Sequence, residues 1–403
     1  VSVHARHRAY RFRCYPTPGQ AANLARTFGC VRLVYNKALD ARTKAWYRRK
    51  ARVTYADTSA LLTKWKRRND LAFLGEVSSV PLQQALRHLQ KGFANFFEQR
   101  TGYPCFKRKR HLVGSAEYTR SAFKYTGGEL TLAKHDAPLR IKWSRPLPHG
   151  AAPSTVTVSR DAAGRWFVSL LIAEDLPTLP ENDTAVGVDA GITSLLTLST
   201  GEHLTNPRHE ARDRARIKRR QRELSRKQQG SNNRRKAQVR LARAHARVSD
   251  RRHDHLHKLT TRLVRENQTI AIEDLSVRGM LSNHTLARAI ADASWAAFRR
   301  MIEYKAGWYG RGLVVVDRFL PSSKTCSACG TMKPAMPLAQ RVFECAACGH
   351  REDRDVNAAK NILAAGLAVA ACGAGVRPQR KPPGGQSATK QETQPATAGT
   401  PSL

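Results

Sequence analysis

Apolar and basic positions alternate along residues 8–13 (RAYRFR), the period of a half-buried strand. Pro16, Thr17 and Pro18 end it. From Gln20 to about Arg110 the spacing turns helical, with Leu24, Phe28, Val31, Leu33, Val34 and Leu39 recurring at three- and four-residue steps. A second run, Pro81–Phe97, carries Leu82, Leu86, Leu89, Phe93 and Phe97 along one face. Over residues 122–175 the pattern becomes short β-rich runs between turns: GGELTL, LRIKW, STVTVS and RWFVSLLIAE. DAAG at 161–164 separates the last two as a hairpin turn. These strands predict a small β-barrel or meander, and LPTLPEND (176–183) reads as a linker.

Ala185 opens a different pattern. AVGVDAGITSLLTLSTGEHL is an apolar strand, a turn and a second apolar strand. Two helices separated by QQGSNN follow, then the buried-type strand TIAIEDL, a helix over 294–310 and the strand LVVVDRF. A closing helix lies in EDRDVNAAKNILAAGLAVA. The segment 373–403 is rich in Pro, Gly, Gln and Thr and is expected to be disordered.

Charge sharpens this picture. The 403 residues hold 70 Lys plus Arg against 31 Asp plus Glu, a formal charge of +39. Such a surface repels itself unless a polyanion covers much of it, which sets aside most small-molecule enzymes. Between Arg208 and Lys258 there are 19 Lys or Arg against five acids, a one-sided bias that points to nucleic acid rather than to an ordinary solvated face. Within it Lys218, Arg219 and Arg220 are candidate phosphate contacts, as are Lys107, Arg108, Lys109 and Arg110. The longest apolar run, Ile362–Cys372, is about half of what a membrane span needs. No secretory signal is visible, so a reducing, cytoplasmic setting beside the nucleoid is expected.

Candidate chemistry falls in two groups. Asp189 interrupts an otherwise apolar strand, Glu273 ends another, and Asp355 opens the last helix. A carboxylate in such a run is costly to bury without a cation. Three acids at strand ends and a helix start suit hard oxygen ligands for two Mg2+ ions in phosphodiester hydrolysis. Asp274 and Asp353 are neighbouring decoys, separated from the true set only by register. Taken singly, each acid has an ordinary alternative as a cap or turn residue. The second group is Cys326, Cys329, Cys345 and Cys348, in the spacing C-x2-C-x15-C-x2-C. Four thiolates so spaced predict a closed, structural Zn2+ site. A glycine follows each pair and supplies the turn; His350 is expected to be no ligand. Cys14, Cys30, Cys105 and Cys372 have no partners at metal spacing.

The order VGVDAGI, IAIEDL, SWAAFRRMIEYKAGWYG, PSSKTCSACG, CAACG and DRDVNAAKNI resembles the TnpB (OrfB-type) proteins of insertion sequences, relatives of the type V CRISPR effectors. RFRCYPTPGQ and VRLVYNKAL extend the resemblance toward the N-terminus, over roughly residues 8–365. It implies a multidomain α+β protein. An RNase H-like (RuvC) α/β nuclease domain would carry an inserted zinc ribbon, beside an N-terminal wedge β-barrel with an inserted helical recognition lobe. The implied boundaries are 1–16 and 116–180 for the wedge and 17–115 for the lobe. The nuclease domain would span 181–320 with its basic hairpin at 206–262, the ribbon 321–350, and the last nuclease segment 351–372. The implied activity is RNA-guided cleavage of double-stranded DNA beside a short adjacent motif, with a guide RNA as partner and Asp189, Glu273 and Asp355 as catalytic acids. Tyr55 and Gln83 stand at positions resembling motif contacts, and Cys105 stands where the family usually has arginine. The rival readings are a guided repressor that does not cut and a transposase with RNase H-like strand chemistry.

Overall fold

The computed structural model describes residues 6–109, 113–337 and 339–371. Arg110, Cys372 and the 373–403 tail therefore lie outside the described residues. The chain forms two compact units. The first comprises Val1–Asn182, Asn206–Glu266 and Val277–Arg311; the second comprises Asp183–Thr205, Asn267–Ser276 and Gly312–Leu403.

The first unit begins with β1 (Arg6–Cys14), α1 (Pro18–Arg49), α2 (Tyr55–Lys66) and α3 (Ser79–Phe97). It continues with β2 (Gly114–Thr119), β3 (Phe123–Thr126), β4 (Glu129–Leu132), β5 (Ile141–Lys142), β6 (Thr155–Arg160) and β7 (Trp166–Glu174). The Pro-Thr-Pro break that ends β1 also starts α1. Thr17 caps the helix, Gln20 closes a reciprocal capping box and Pro18 occupies the first turn. The strand order is β2-β6-β7-β1-β5, antiparallel throughout, with β3 and β4 as a separate hairpin. The expected barrel or meander is thus a five-stranded sheet whose ladder ends at β2 and β5. Its first strand in sequence is drawn into the interior, beside β7.

Period-two burial at Val156 and Val158, and at Val168, Leu170 and Ile172, joins Tyr10, Phe12, Tyr118, Leu24 and Phe28 in one core. A second core lies among the helices: Val34, Ala38 and Leu39 of α1, Leu62 and Trp65 of α2, and Leu82, Leu86, Leu89 and Phe93 of α3. Phe97, expected on the same buried face, lies exposed at the end of α3, where it meets the rings of Phe93 and Phe96.

The remaining helices of this unit are α4 (His209–Ser225), α5 (Asn232–Glu266), α6 (Val277–Met280), α7 (Ala287–Ala293) and α8 (Trp295–Tyr309). Ile217 of α4 meets Ala244 and Val248 of α5 in a thin apolar seam. Lys305 of α8 is buried, and its Nζ donates to His257 O, Thr260 Oγ1 and Thr261 Oγ1 of α5, each at 2.7 Å. Burial, with the nearby Arg8 charge, lowers this ammonium to about 8. Trp295 is buried, and Tyr304 and Trp308, both half-buried, pack edge to face 4.5 Å apart.

The second unit holds β8 (Ala185–Asp189), β9 (Ser194–Leu198), β10 (His203–Thr205), β11 (Thr269–Glu273), β12 (Gly312–Val316), β13 (Val342–Glu344), β14 (Arg351–Asp353) and α9 (Arg354–Ala371). Its main sheet runs β10-β9-β8-β11-β12. β9 is antiparallel to β8 and β10, whereas β8, β11 and β12 are parallel. The central strands VGV and IAI are apolar without alternation because both of their faces are covered. β13 and β14 form a two-stranded hairpin beside the cysteines.

Candidate active site

Register brings the first two acids together. Ile272 lies opposite Val188 in the parallel β8–β11 pair, so the next residues, Glu273 and Asp189, are neighbours at the carboxyl ends of adjacent strands. Two close approaches show which face they share. A Cβ on Gly187 would stand 2.0 Å from the Ala359 carbonyl oxygen of α9, and a Cβ on Gly366 of α9 would stand 2.6 Å from the Ala271 Cβ. Gly187 and Ala271 therefore face α9, and with period two so do Asp189 and Glu273. Asp355 is in the first turn of that helix, one turn before Ala359. Three elements distant in sequence thus deliver three carboxylates to one edge of the sheet.

Electrostatics agrees. Desolvation pushes the Asp189 carboxyl up to about 7, with the Asp355 and Glu273 charges adding to the rise. A hydrogen bond from the Ala190 backbone and the Arg354 charge only partly offset it. Glu273 is also raised, first by desolvation and then by Asp274. A buried carboxylate pushed up by desolvation and by two neighbouring carboxylates belongs to a donor set suited to a divalent cation.

The decoy acids have other duties. Asp274 pairs with Arg318, and its backbone N–H donates to Val316 O at 3.1 Å. Asp353 caps α9, accepting from the backbone N–H groups of Asp355 (2.9 Å) and Val356 (3.1 Å). The cap that sequence alone allowed for Asp355 therefore belongs to Asp353.

The four cysteines converge, with all ligand atoms within 4.8 Å of one another. Cys326 Sγ lies 3.7 Å from Cys348 Sγ, and Cys329 Sγ lies 3.6 Å from Cys345 Sγ. These separations far exceed a disulfide bond. They match the edge of about 3.8 Å that a tetrahedron of thiolates has around a metal at ~2.3 Å. The two knuckles repeat one backbone pattern. The N–H of Gly330 donates to Cys326 O and that of Gly349 to Cys345 O, with both glycines at positive φ (77° and 72°). In each knuckle the first cysteine is buried and the second exposed. Contacts to Thr331 pull the Cys329 thiol down to about 6. His350 stays outside the cluster, facing Glu352 and Ser327 at 3.4 Å each. Burial of Cys14 and Cys30 raises both thiols, as inert packing residues, while Cys105 is exposed.

Two asparagines missed in the sequence tie the knuckle to the acid-bearing helix. Asn357, fully buried, accepts from Ser327 N (2.9 Å) and donates to Thr325 O (2.8 Å). Asn361 donates to Ser322 O (2.8 Å) and Thr325 O (2.7 Å). Their i, i+4 spacing on α9 was the available signal, since it places both side chains on one helix face.

The proposed nucleic-acid contacts distribute unevenly. Arg87 of α3 meets Tyr55, its Cζ 5.6 Å from the ring centroid, and Gln83 is exposed one turn earlier on α3. Lys107 is clasped to α1 by Asn36, which accepts from its backbone N–H (2.8 Å) and donates to its carbonyl (2.9 Å). Arg108 and Lys109 are exposed. Lys218 and Arg219 are exposed on α4, whereas Arg220 is held by Glu223 at 2.6 Å.

The second unit is a mixed α/β sheet with acids at the carboxyl ends of its strands and a four-cysteine module before its last helix. Comparison with known proteins makes the placement specific. A family model described as "Probable transposase" matches residues 156–284. One described as "Cas12f1-like, TNB domain" matches 295–362, and one described as "Helix-turn-helix domain" matches 6–51. The last stretch is folded here as β1 and the single helix α1. A Streptomyces pristinaespiralis protein named "Putative RNA-guided DNA endonuclease" is 62% identical over 397 residues, 98% of each chain. The similarly named InsQ of Escherichia coli K12 is 31% identical over 391 residues, covering 91% of this chain and 94% of that one. The chain belongs to the TnpB (OrfB, IS605-type) family. The solved structure titled "Cryo-EM structure of the Cas12f1-sgRNA-target DNA complex" shares its fold, with a TM-score of 0.54 at 15% identity, covering 86% of this chain and 83% of that one. Among the described residues, no helix is long and apolar enough to cross a membrane.

Proposed function

We propose that this protein is the RNA-guided DNA endonuclease of an insertion sequence, cutting target DNA beside a short adjacent motif at a single RuvC-like site. The observation that carries the reading is the convergence of Asp189, Glu273 and Asp355 on one edge of the second unit's sheet. Those three residues would hold two Mg2+ ions. Bound there, the ions supply an activated water for in-line attack and stabilisation of the leaving 3′ oxygen. The carboxylates position that chemistry, and α9 fixes the third of them against the sheet. Cys326, Cys329, Cys345 and Cys348 would hold Zn2+ as a structural ribbon over residues 321–350.

In the first unit the antiparallel sheet serves as the wedge and α1–α3 as the recognition lobe. There Tyr55 and Gln83 would read the adjacent motif. Lys107, Arg108, Lys109, Lys218 and Arg219 would hold phosphates, with Arg110 outside the described residues. A guide RNA and its heteroduplex supply the counter-charge that +39 requires. A nucleoid-side, reducing compartment suits both the partners and the thiols. The repressor reading gains no support from a site with all three acids in place.

The test begins by expressing the protein with its flanking DNA and sequencing the RNA that co-purifies. One discrete species spanning the element's end is expected, and rewriting its 3′ segment should redirect cutting. Asp189→Ala should abolish cutting while RNA content and target binding stay near wild type. Cutting that ignores the guide segment, or loss of RNA on that substitution, would overturn the proposal.

A further inference from the structure

We propose that Phe319 forms a nucleobase-stacking subsite beside the acid centre, taking an unpaired base of the strand being cut. The inference rests on the endonuclease reading and adds a substrate contact to it. Phe319 is 85% exposed, the largest exposure among the large hydrophobic side chains of the described residues. Its place in the fold is not arbitrary. Glu273 lies opposite Val316 in the parallel β11–β12 pair, so the turn Asp317–Leu320 leaves the sheet at the edge that carries the acids. In open α/β sheets that edge is where ligands bind.

The turn is built to hold its shape. Asp317 Oδ1 accepts from the Phe319 backbone N–H at 2.8 Å, and Leu320 N–H returns to Asp317 O at 3.1 Å. Arg318 is tied to Asp274, the acid that follows the catalytic Glu273. Downstream, the N–H groups of Lys324 and Thr325 both close on Pro321 O, at 2.9 and 3.0 Å. The residues on both sides of Phe319 are thus fixed while its ring stays in solvent. Leaving a phenyl ring in water forgoes the burial that such a side chain normally gains. With its backbone held in the turn, Phe319 gives up only side-chain freedom when its ring stacks. Every base presents a π-face, so such a contact suits an enzyme that must accept any sequence its guide dictates. A flexed or unpaired base beside the scissile phosphate is the occupant that this placement selects.

The test uses the full protein with its co-purified RNA and a target carrying one abasic position at a time on either side of the cut. Phe319→Ala should slow single-turnover cutting about tenfold at saturating target, and Phe319→Trp should restore it. The melting temperature, RNA content and target affinity should not move. One abasic position should slow the wild type and make no further difference in Phe319→Ala; additive losses, or wild-type rates in Phe319→Ala, would sink the subsite. In parallel, a single-stranded DNA containing 5-iododeoxyuridine is cross-linked to the protein and the adduct mapped by mass spectrometry. Modification at Phe319 supports the subsite even in a preparation that does not cut, which separates its fate from that of the endonuclease reading. A map that omits Phe319 would overturn it.

Discussion

Asp189 shows how a residue proposed for chemistry can be costly to a fold. Its folded-state pKa of about 7 stands above the ordinary value of 3.8. Between those values the folded chain keeps a proton that the unfolded chain releases. The metal-free protein should therefore lose stability as pH rises from about 4 to 7 and level off above. Asp189→Asn removes that loss. In chelator at pH 8 the variant should melt roughly a few degrees higher than wild type, and at pH 4 the two should coincide. Thermal melts across this range check the sign, and a wild type that gains stability between pH 4 and 7 relative to the variant would contradict it. The three acids stood out in the sequence as candidates because Asp189 interrupts an apolar strand, Glu273 ends one and Asp355 opens the last helix. What the sequence left open was the choice between neighbours. Asp274 and Asp353 are told apart from Glu273 and Asp355 only by strand parity and by a helix cap, and both are facts of register. Phe319 could not be singled out at all, since an aromatic after an apolar strand reads as core.

At the scale of elements, the paired knuckles and α9 act as one piece. The convergence of the four cysteines and the glycine turn after each pair were legible from spacing alone, because a thiolate tetrahedron tolerates few arrangements. The asparagine ties to Thr325 and Ser327 did not, because they join a helix face to a loop whose path is set only on folding. Their consequence is that metal loss should be felt at the acids. Cys326→Ser, or exhaustive zinc chelation, should lower zinc content toward zero, increase hydrogen exchange across Thr325–Ser327 and the first turn of α9, and reduce cutting. Full activity without zinc would refute the coupling. The β-rich stretch was legible strand by strand yet not as a sheet. β1 pairs with β7 across most of the unit's length, and local periodicity carries no information about so distant a partner.

At the scale of the molecule, charge was the clearest message of the sequence and grouping the least clear. The basic hairpin reads in order as part of the second half, whereas α4 and α5 belong to the compact unit that begins at the N-terminus. Contacts such as Lys305 with α5, or Arg165 with Asp250, join segments far apart in the chain. The exposed charges of α4 lend themselves to a direct measurement. Lys218→Ala with Arg219→Ala should weaken RNA binding and reduce the slope of log affinity against log salt by about one for each phosphate no longer neutralised. Arg220→Ala, whose guanidinium is already held by Glu223, should change the slope less. Equal slopes for wild type and the double variant would place Lys218 and Arg219 in solvent.

The close fit of α9 against Gly187 and Ala271 also sets a timetable. Asp189, Glu273 and Asp355 leave the ribosome in that order, and the helix that brings the last of them follows all the other helices and strands of the described residues. Domains generally fold as they emerge, N-terminal parts first. The segments that would gather RNA are therefore complete while the cutting edge still lacks a carboxylate and its covering helix. On the proposed reading, a translation product halted before Asp355 should occupy nucleic acid yet have no blade.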